Sequence, residues 1–163
     1  LKYNNILLTP HLVNTCRSQR IKVAKLYPEH LPESILSDPK RGAERKLFEA
    51  LSGLESSFVI FYGVAWQSRI DGRVRDGEAD FVVAHHEFGI IVIEVKGGGV
   101  SYDATTGQWT TTDRYGESFA IDPVEQAKKS HYTLLDKFKD LPEWDSSRFL
   151  TIGHAACFPD VVV

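Results

Sequence analysis

The chain has 163 residues, enough for one domain with a substantial core. Its 42% hydrophobic and 25% charged content is ordinary for a globular protein, and a net charge of −3 gives no overall basic field to attract nucleic acid. There is no secretory signal, no membrane-length apolar run, and no disulfide or zinc spacing between Cys16 and Cys157, so a cytoplasmic, reducing setting is the default.

Residues 1–23 show no clean period and are expected to be a disordered lead-in to a domain over 24–163. The Pro-punctuated segment 24–41 reads as an irregular arm with one short turn. Asp38 followed by Pro39 is a helix start, an N-cap oxygen before a Pro at the first helical position. Ala43, Leu47, Ala50 (or Leu51) and Leu54 then make the apolar stripe of a helix running to about Leu51. Ser57 to Gln67 is rich in Val, Ile and aromatic residues and predicts a first strand, with Asp71-Gly72 as the turn after it.

The stretch from Gly77 to Gly97 predicts a hairpin turning about Glu87, with Asp80 opposite Glu94. After Gly97-Gly98-Gly99, a small hairpin is expected with arms at 100–103 and 108–113. Asp122, Pro123 and Glu125 are N-cap, N1 and N3 of a capping-box helix, whose stripe Val124, Ala127, His131, Leu134 and Phe138 runs to about Lys139. Phe149 to Phe158 predicts a final strand. The order α-β-β-β-α-β, with a hairpin insertion, makes a mixed α/β fold around a central sheet. The absence of Met and the end in a strand-like Val161-Val162-Val163 lead us to expect the N-terminal part of a longer protein.

Two acids at the ends of strongly apolar strands need a reason, because burying them unpaired costs several kcal/mol. Lys96 lies two residues beyond Glu94 and so on the same strand face. A divalent ion with a hydrolytic water supplies the reason. Mg²⁺ takes oxygen ligands and needs one or two carboxylates besides substrate phosphate, so Asp80 and Glu94 suit it, with the Val95 carbonyl as a third donor. Mn²⁺ is a natural substitute, and Lys96 is the candidate to orient or deprotonate the attacking water.

The pattern Asp80…Glu94-Val95-Lys96 resembles the PD-(D/E)XK nuclease superfamily. The segments GAERKLFEAL, GEADFVV, IIVIEVKGG, GQW and DPVEQA together resemble the NERD (nuclease-related) domain, from about Ala24 onward. The resemblance implies a restriction-endonuclease-like fold, Mg²⁺-dependent cleavage of nucleic acid, most naturally DNA, and a partner helicase domain in the same chain. It also implies that Glu44 and Gln126 point into the site of Asp80, Glu94 and Lys96. Ala79 stands where the superfamily's name has Pro. The competing reading is a catalytically idle module of the same fold that binds or positions nucleic acid.

Other residues invite a functional reading and have plainer ones. Glu78 is two residues before Asp80 and is either a further acid of the site or a solvated loop-end residue. His85 and His86 stand five residues of strand from Asp80, roughly 16 Å, and belong to the hairpin tip. Arg69, Arg73 and Arg75 flank a turn, Trp109 is expected to pack, and the glycine run lacks the Lys-Ser/Thr of a nucleotide-binding loop.

Overall fold

A computed structural model describes residues 23–70, 73–113, 115–147 and 149–161. The expected lead-in lies outside these residues except for Val23, which forms an isolated bridge with Glu55. In chain order the elements are β1 (Lys25–Tyr27), α1 (Glu33–Leu36), a 3-10 turn (Pro39–Arg41), α2 (Gly42–Ser52), β2 (Phe58–Ile70), β3 (Arg73–His85) and β4 (Gly89–Val95). There follow β5 (Gly99–Asp103), β6 (Gln108–Thr112), β7 (Ser118–Ile121), α3 (Pro123–Lys139) and β8 (Ile152–Cys157).

The central sheet is mixed, with strand order β1-β2-β3-β4-β8. The β2–β3 and β3–β4 pairs are antiparallel, whereas β1 and β8 run parallel to their neighbours. One face packs Ile60, Phe81, Val83 and Val95 against Leu47, Phe48 and Leu51 of α2. The other packs Ala79, Val82 and Val92 against Leu134 and Phe138 of α3. Cover on both faces explains why β3 and β4 read as near-continuous apolar runs. Phe81, Ile60 and Val92 are fully buried, each contributing about 1.5–3 kcal/mol by leaving water.

Several boundaries differ from the sequence expectation. Asp38 does cap a helical start, accepting from the Lys40 N–H at 2.8 Å, but that start is a 3-10 turn and the α-helix begins at Gly42. Leu51, and not the exposed Ala50, belongs to the α2 stripe. The arm before it contains β1, which extends the sheet by pairing with β2. The insertion after β4 has three strands in the order β5-β6-β7 instead of two. Asp122 caps α3 by accepting from the Glu125 N–H at 2.9 Å, while the Glu125 carboxylate pairs with Lys128 and so does not close the capping box. Val124 is exposed; the buried positions of α3 include Ala127, Ser130, His131 and Leu134.

The β2–β3 pair keeps one register throughout, yet its faces exchange midway. Tyr62 and Phe81 pack in the α2 layer, whereas Val64 and Ala79, the next pair but one, pack in the α3 layer. In a regular strand residues two apart share a face. The change occurs across the skipped position between them, where Gly63, with φ +63°, lies opposite Asp80. A left-handed residue opposite Asp80 thus turns the hairpin over.

Gly89 closes the β3–β4 hairpin at φ +90°, and a Cβ there would lie 2.1 Å from the Thr151 carbonyl oxygen, which accepts from the Ile90 N–H. Gly89→Ala combines backbone strain with a clash at the first β4–β8 contact. We expect a loss of at least about 2 kcal/mol, read from the urea unfolding midpoint at unchanged m-value.

Candidate active site

The ladder between β3 and β4 runs from His85↔Gly89 to Phe81↔Ile93 and then stops. Beyond this point β3 continues with β2 alone, and β4 continues beside β8 through Glu94↔Ala156 and Val95↔Cys157. The sheet therefore forks, and Asp80 and Glu94 are the first residues past the crotch. The equidistance of both from Glu87 agrees with this register. Asp80 closes the fork with its side chain: Oδ2 accepts the Val95 N–H at 2.7 Å.

Asp80 is held largely away from water, and its carboxyl is pushed up from 3.8 to about 6. Burial is the main cause, and the negative charges of Glu94 and Glu44 add to it; the Val95 N–H and the Lys96 ammonium oppose it. The structure thus brings Asp80, Glu94, Lys96 and Glu44 within electrostatic reach of one another. Glu94 is paired with Lys96, Nζ to Oε1 at 2.7 Å. Lys96 lies just past the end of β4, where its own N–H donates to the Cys157 carbonyl at 3.0 Å.

Glu44, in the first turn of α2, is gripped from two sides. Arg41 Nη1 donates to both of its oxygens, at 2.8 and 2.9 Å, and the Tyr62 hydroxyl donates to Oε2 at 2.5 Å. Burial and this bond to a carboxylate raise the Tyr62 pKa, so the phenol stays protonated. Tyr62 and Arg41 are residues that sequence reasoning did not single out. The pattern held a signal for Arg41, a cation three residues before Glu44 at a helix start, but none for Tyr62, which looks like any strand aromatic.

The other side-chain candidates make none of the described hydrogen bonds to Asp80, Glu94, Lys96 or Glu44. Gln126 is exposed on the first turn of α3, and none of the described hydrogen bonds involves its side chain. Glu78 is exposed, though its charge is felt at Arg41. His85 is buried at the hairpin tip, where Nδ1 accepts from the Glu87 and Phe88 N–H groups. Trp109 stacks on Phe158. Asp160 joins three pieces of chain: Oδ1 accepts from Lys46 Nζ of α2 at 2.5 Å, and Oδ2 from the Gly98 N–H at 2.9 Å.

The residues fit a hard divalent ion better than a transition-metal cage. The acids offer oxygen donors alone, and a cation would offset both the burial that chiefly raises Asp80 and the lesser repulsion from Glu94 and Glu44. Among the described residues no three His, Cys, Asp or Glu side chains gather closely enough to hold a metal by themselves. Such a cage is not required of Mg²⁺, which commonly takes one or two carboxylates and completes its shell with water and phosphate.

A family model for the nuclease-related domain, NERD, matches residues 39–159. The chain belongs to the NERD family. The match runs from the 3-10 turn past β8, so it includes Glu44, Asp80, Glu94, Lys96 and Gln126, while Asp160 stands one residue beyond. No curated protein and no solved structure matches the chain. Among the described residues of this NERD chain, no helix is long and apolar enough to cross a membrane.

The raised Asp80 carboxyl has a consequence for metal-free stability. Its folded pKa lies above the unfolded one, so ionisation is penalised in the fold; the penalty is absent below about pH 4 and complete above about pH 6. Asp80→Asn keeps the acceptor for the Val95 N–H but removes the charge. In EDTA the variant should be more stable than the parent by about 3 kcal/mol at pH 7.5 and nearly indistinguishable near pH 4. Thermal melts across that pH range read the difference; equal stability at both ends would show that burial does not penalise this charge.

Proposed function

We propose that this NERD domain is a Mg²⁺-dependent nuclease of restriction-endonuclease-like fold that hydrolyses phosphodiester bonds in DNA. The observation that carries the reading is the gathering of two acids and an ammonium at the fork of the central sheet, next to a third acid from α2. A nuclease-related family and a central mixed sheet flanked by helices are consistent with it.

Asp80 and Glu94, with the Val95 carbonyl, are the groups that would hold the ion. When bound, Mg²⁺ supplies neutralisation of phosphate charge and makes water a stronger acid. Asp80 contributes a carboxylate fixed in place by the Val95 N–H, so its position needs no reorganisation. Glu94 anchors the Lys96 ammonium, which orients the attacking water and faces the charge that builds on phosphate. Glu44, clamped by Arg41 and Tyr62, adds negative charge that strengthens the attraction for a cation. Gln126, from the exposed side of α3, is assigned a supporting contact on the resemblance alone. A helicase-type partner domain and a cytoplasmic setting belong to the same proposal.

Supercoiled plasmid should be nicked or linearised with Mg²⁺ or Mn²⁺ and left intact in EDTA. Asp80→Ala and Lys96→Ala should each lower the rate by a factor of about 100 or more. Cleavage that survives Asp80→Ala would remove the assignment. Calorimetry adds an independent check, since Mg²⁺ should bind the parent at millimolar concentration and not Asp80→Asn. DNA binding without Mg²⁺ binding would favour the idle module.

A further inference from the structure

We infer that Arg41 is a phosphate-binding residue, presented beside the acidic cluster to receive a non-bridging oxygen of the substrate strand. The inference rests on the nuclease reading for what the substrate is, but its geometry stands apart. The site holds three acids, and its one catalytic ammonium, Lys96, is already engaged by Glu94 at 2.7 Å. An anionic phosphodiester entering such a cluster needs a second cation with donors to spare. Arg41 supplies one.

Arg41 grips Glu44 through Nη1 alone, so among the described hydrogen bonds the other edge of its guanidinium is uncommitted. A guanidinium presents five donors in a planar fork, and the pair Nε and Nη2 suits phosphate oxygens. The side chain is also accessible: it is 40% exposed, against 12% for the Glu44 it holds. The bond to Glu44 chiefly, and the charge of Glu78 least, hold its pKa up, so the guanidinium stays charged.

The backbone below Arg41 is braced as a presenting turn. The Asp38 side chain accepts the Lys40 N–H, the Asp38 carbonyl accepts the Arg41 N–H at 3.1 Å, and Arg45 Nη1 donates to the carbonyls of Asp38 and Ile35. Beside this turn opens a crevice of about 600 Å³, bounded by Pro39, Lys40 and Gly42 on one side and Gly97 and Gly98 on the other. Its lining includes the two chain neighbours of Arg41, Lys40 and Gly42, and the residue that follows Lys96, Gly97.

The test measures a short DNA duplex by anisotropy in Ca²⁺ and in EDTA, across a KCl series, and by cleavage in Mg²⁺. Arg41→Ala should flatten the dependence of log affinity on log salt by roughly 0.9, the signature of one lost phosphate contact. Its kcat/KM should fall about 100-fold, and added guanidinium ion should restore part of that loss. Tyr62→Phe removes the other tether of Glu44 and separates the roles: it should slow cleavage without changing the salt slope and without guanidinium rescue. Arg41→Lys, which keeps the charge, should retain the slope and serves if the Ala variant melts early.

An unchanged slope in Arg41→Ala, or losses matching those of Tyr62→Phe, would reduce Arg41 to a clamp on Glu44 and overturn the inference. A parent protein that binds but never cuts, with the slope still flattened in Arg41→Ala, would defeat the nuclease reading and leave the phosphate contact standing.

Discussion

One hydrogen bond organises this molecule: the Asp80 carboxylate receiving the Val95 N–H across the fork of the central sheet. Where a ladder ends, an edge N–H normally turns to water or to another chain. Here an acidic side chain takes it, so the strands can diverge without leaving a backbone donor unsatisfied. The same bond fixes the carboxylate against the end of β4, which carries Glu94 and leads into Lys96. Separation of β3 from β4 and placement of the acid are a single event.

The flanking geometry serves this arrangement. Gly63 interrupts β2 directly opposite Asp80, and there the hairpin exchanges the layers into which its side chains project. Asp80 thus sits where the ladder lapses on both sides, among fully buried neighbours such as Phe81 and Ala79. That placement deprives it of water. Glu44 lies close enough to oppose its ionisation and is neutralised by Arg41 and steadied by Tyr62, whereas none of the described residues makes an ion pair with Asp80. The fold carries an unrelieved charge at the point where chemistry is proposed, and stability is given up for it.

What was legible in the sequence depended on patterns local to a strand or a helix start. The register of β3 on β4 could be read because the hairpin is tight and its apolar runs are symmetric about Glu87. The α3 start was written in Asp122-Pro123. The fork itself was not legible, because the departure of β4 toward β8 is a pairing across more than fifty residues and leaves no mark on periodicity. Likewise β1 and β7 are only 3 and 4 residues long and mostly exposed, too short for alternation to register. Asp38-Pro39 correctly announced a helical start, but the tight i→i+3 geometry of the first turn and its role in presenting Arg41 are matters of backbone angle. The likeness to NERD brought Glu44 forward; periodicity alone would have left it on the surface.

Asp160 adds a mechanical point. Through Gly98 it holds the root of the three-stranded insertion, and through Lys46 it joins that root to α2; Trp109 stacked on Phe158 makes a further fastening nearby. Lys96 leads directly into this insertion, so looseness at its base would displace the ammonium. With the base riveted, the hairpin tips around Thr106 and Gly116 are held apart from Lys96. Those tips are where the domain can gain or lose residues, and so acquire new contacts, while the acidic cluster at the fork keeps its shape.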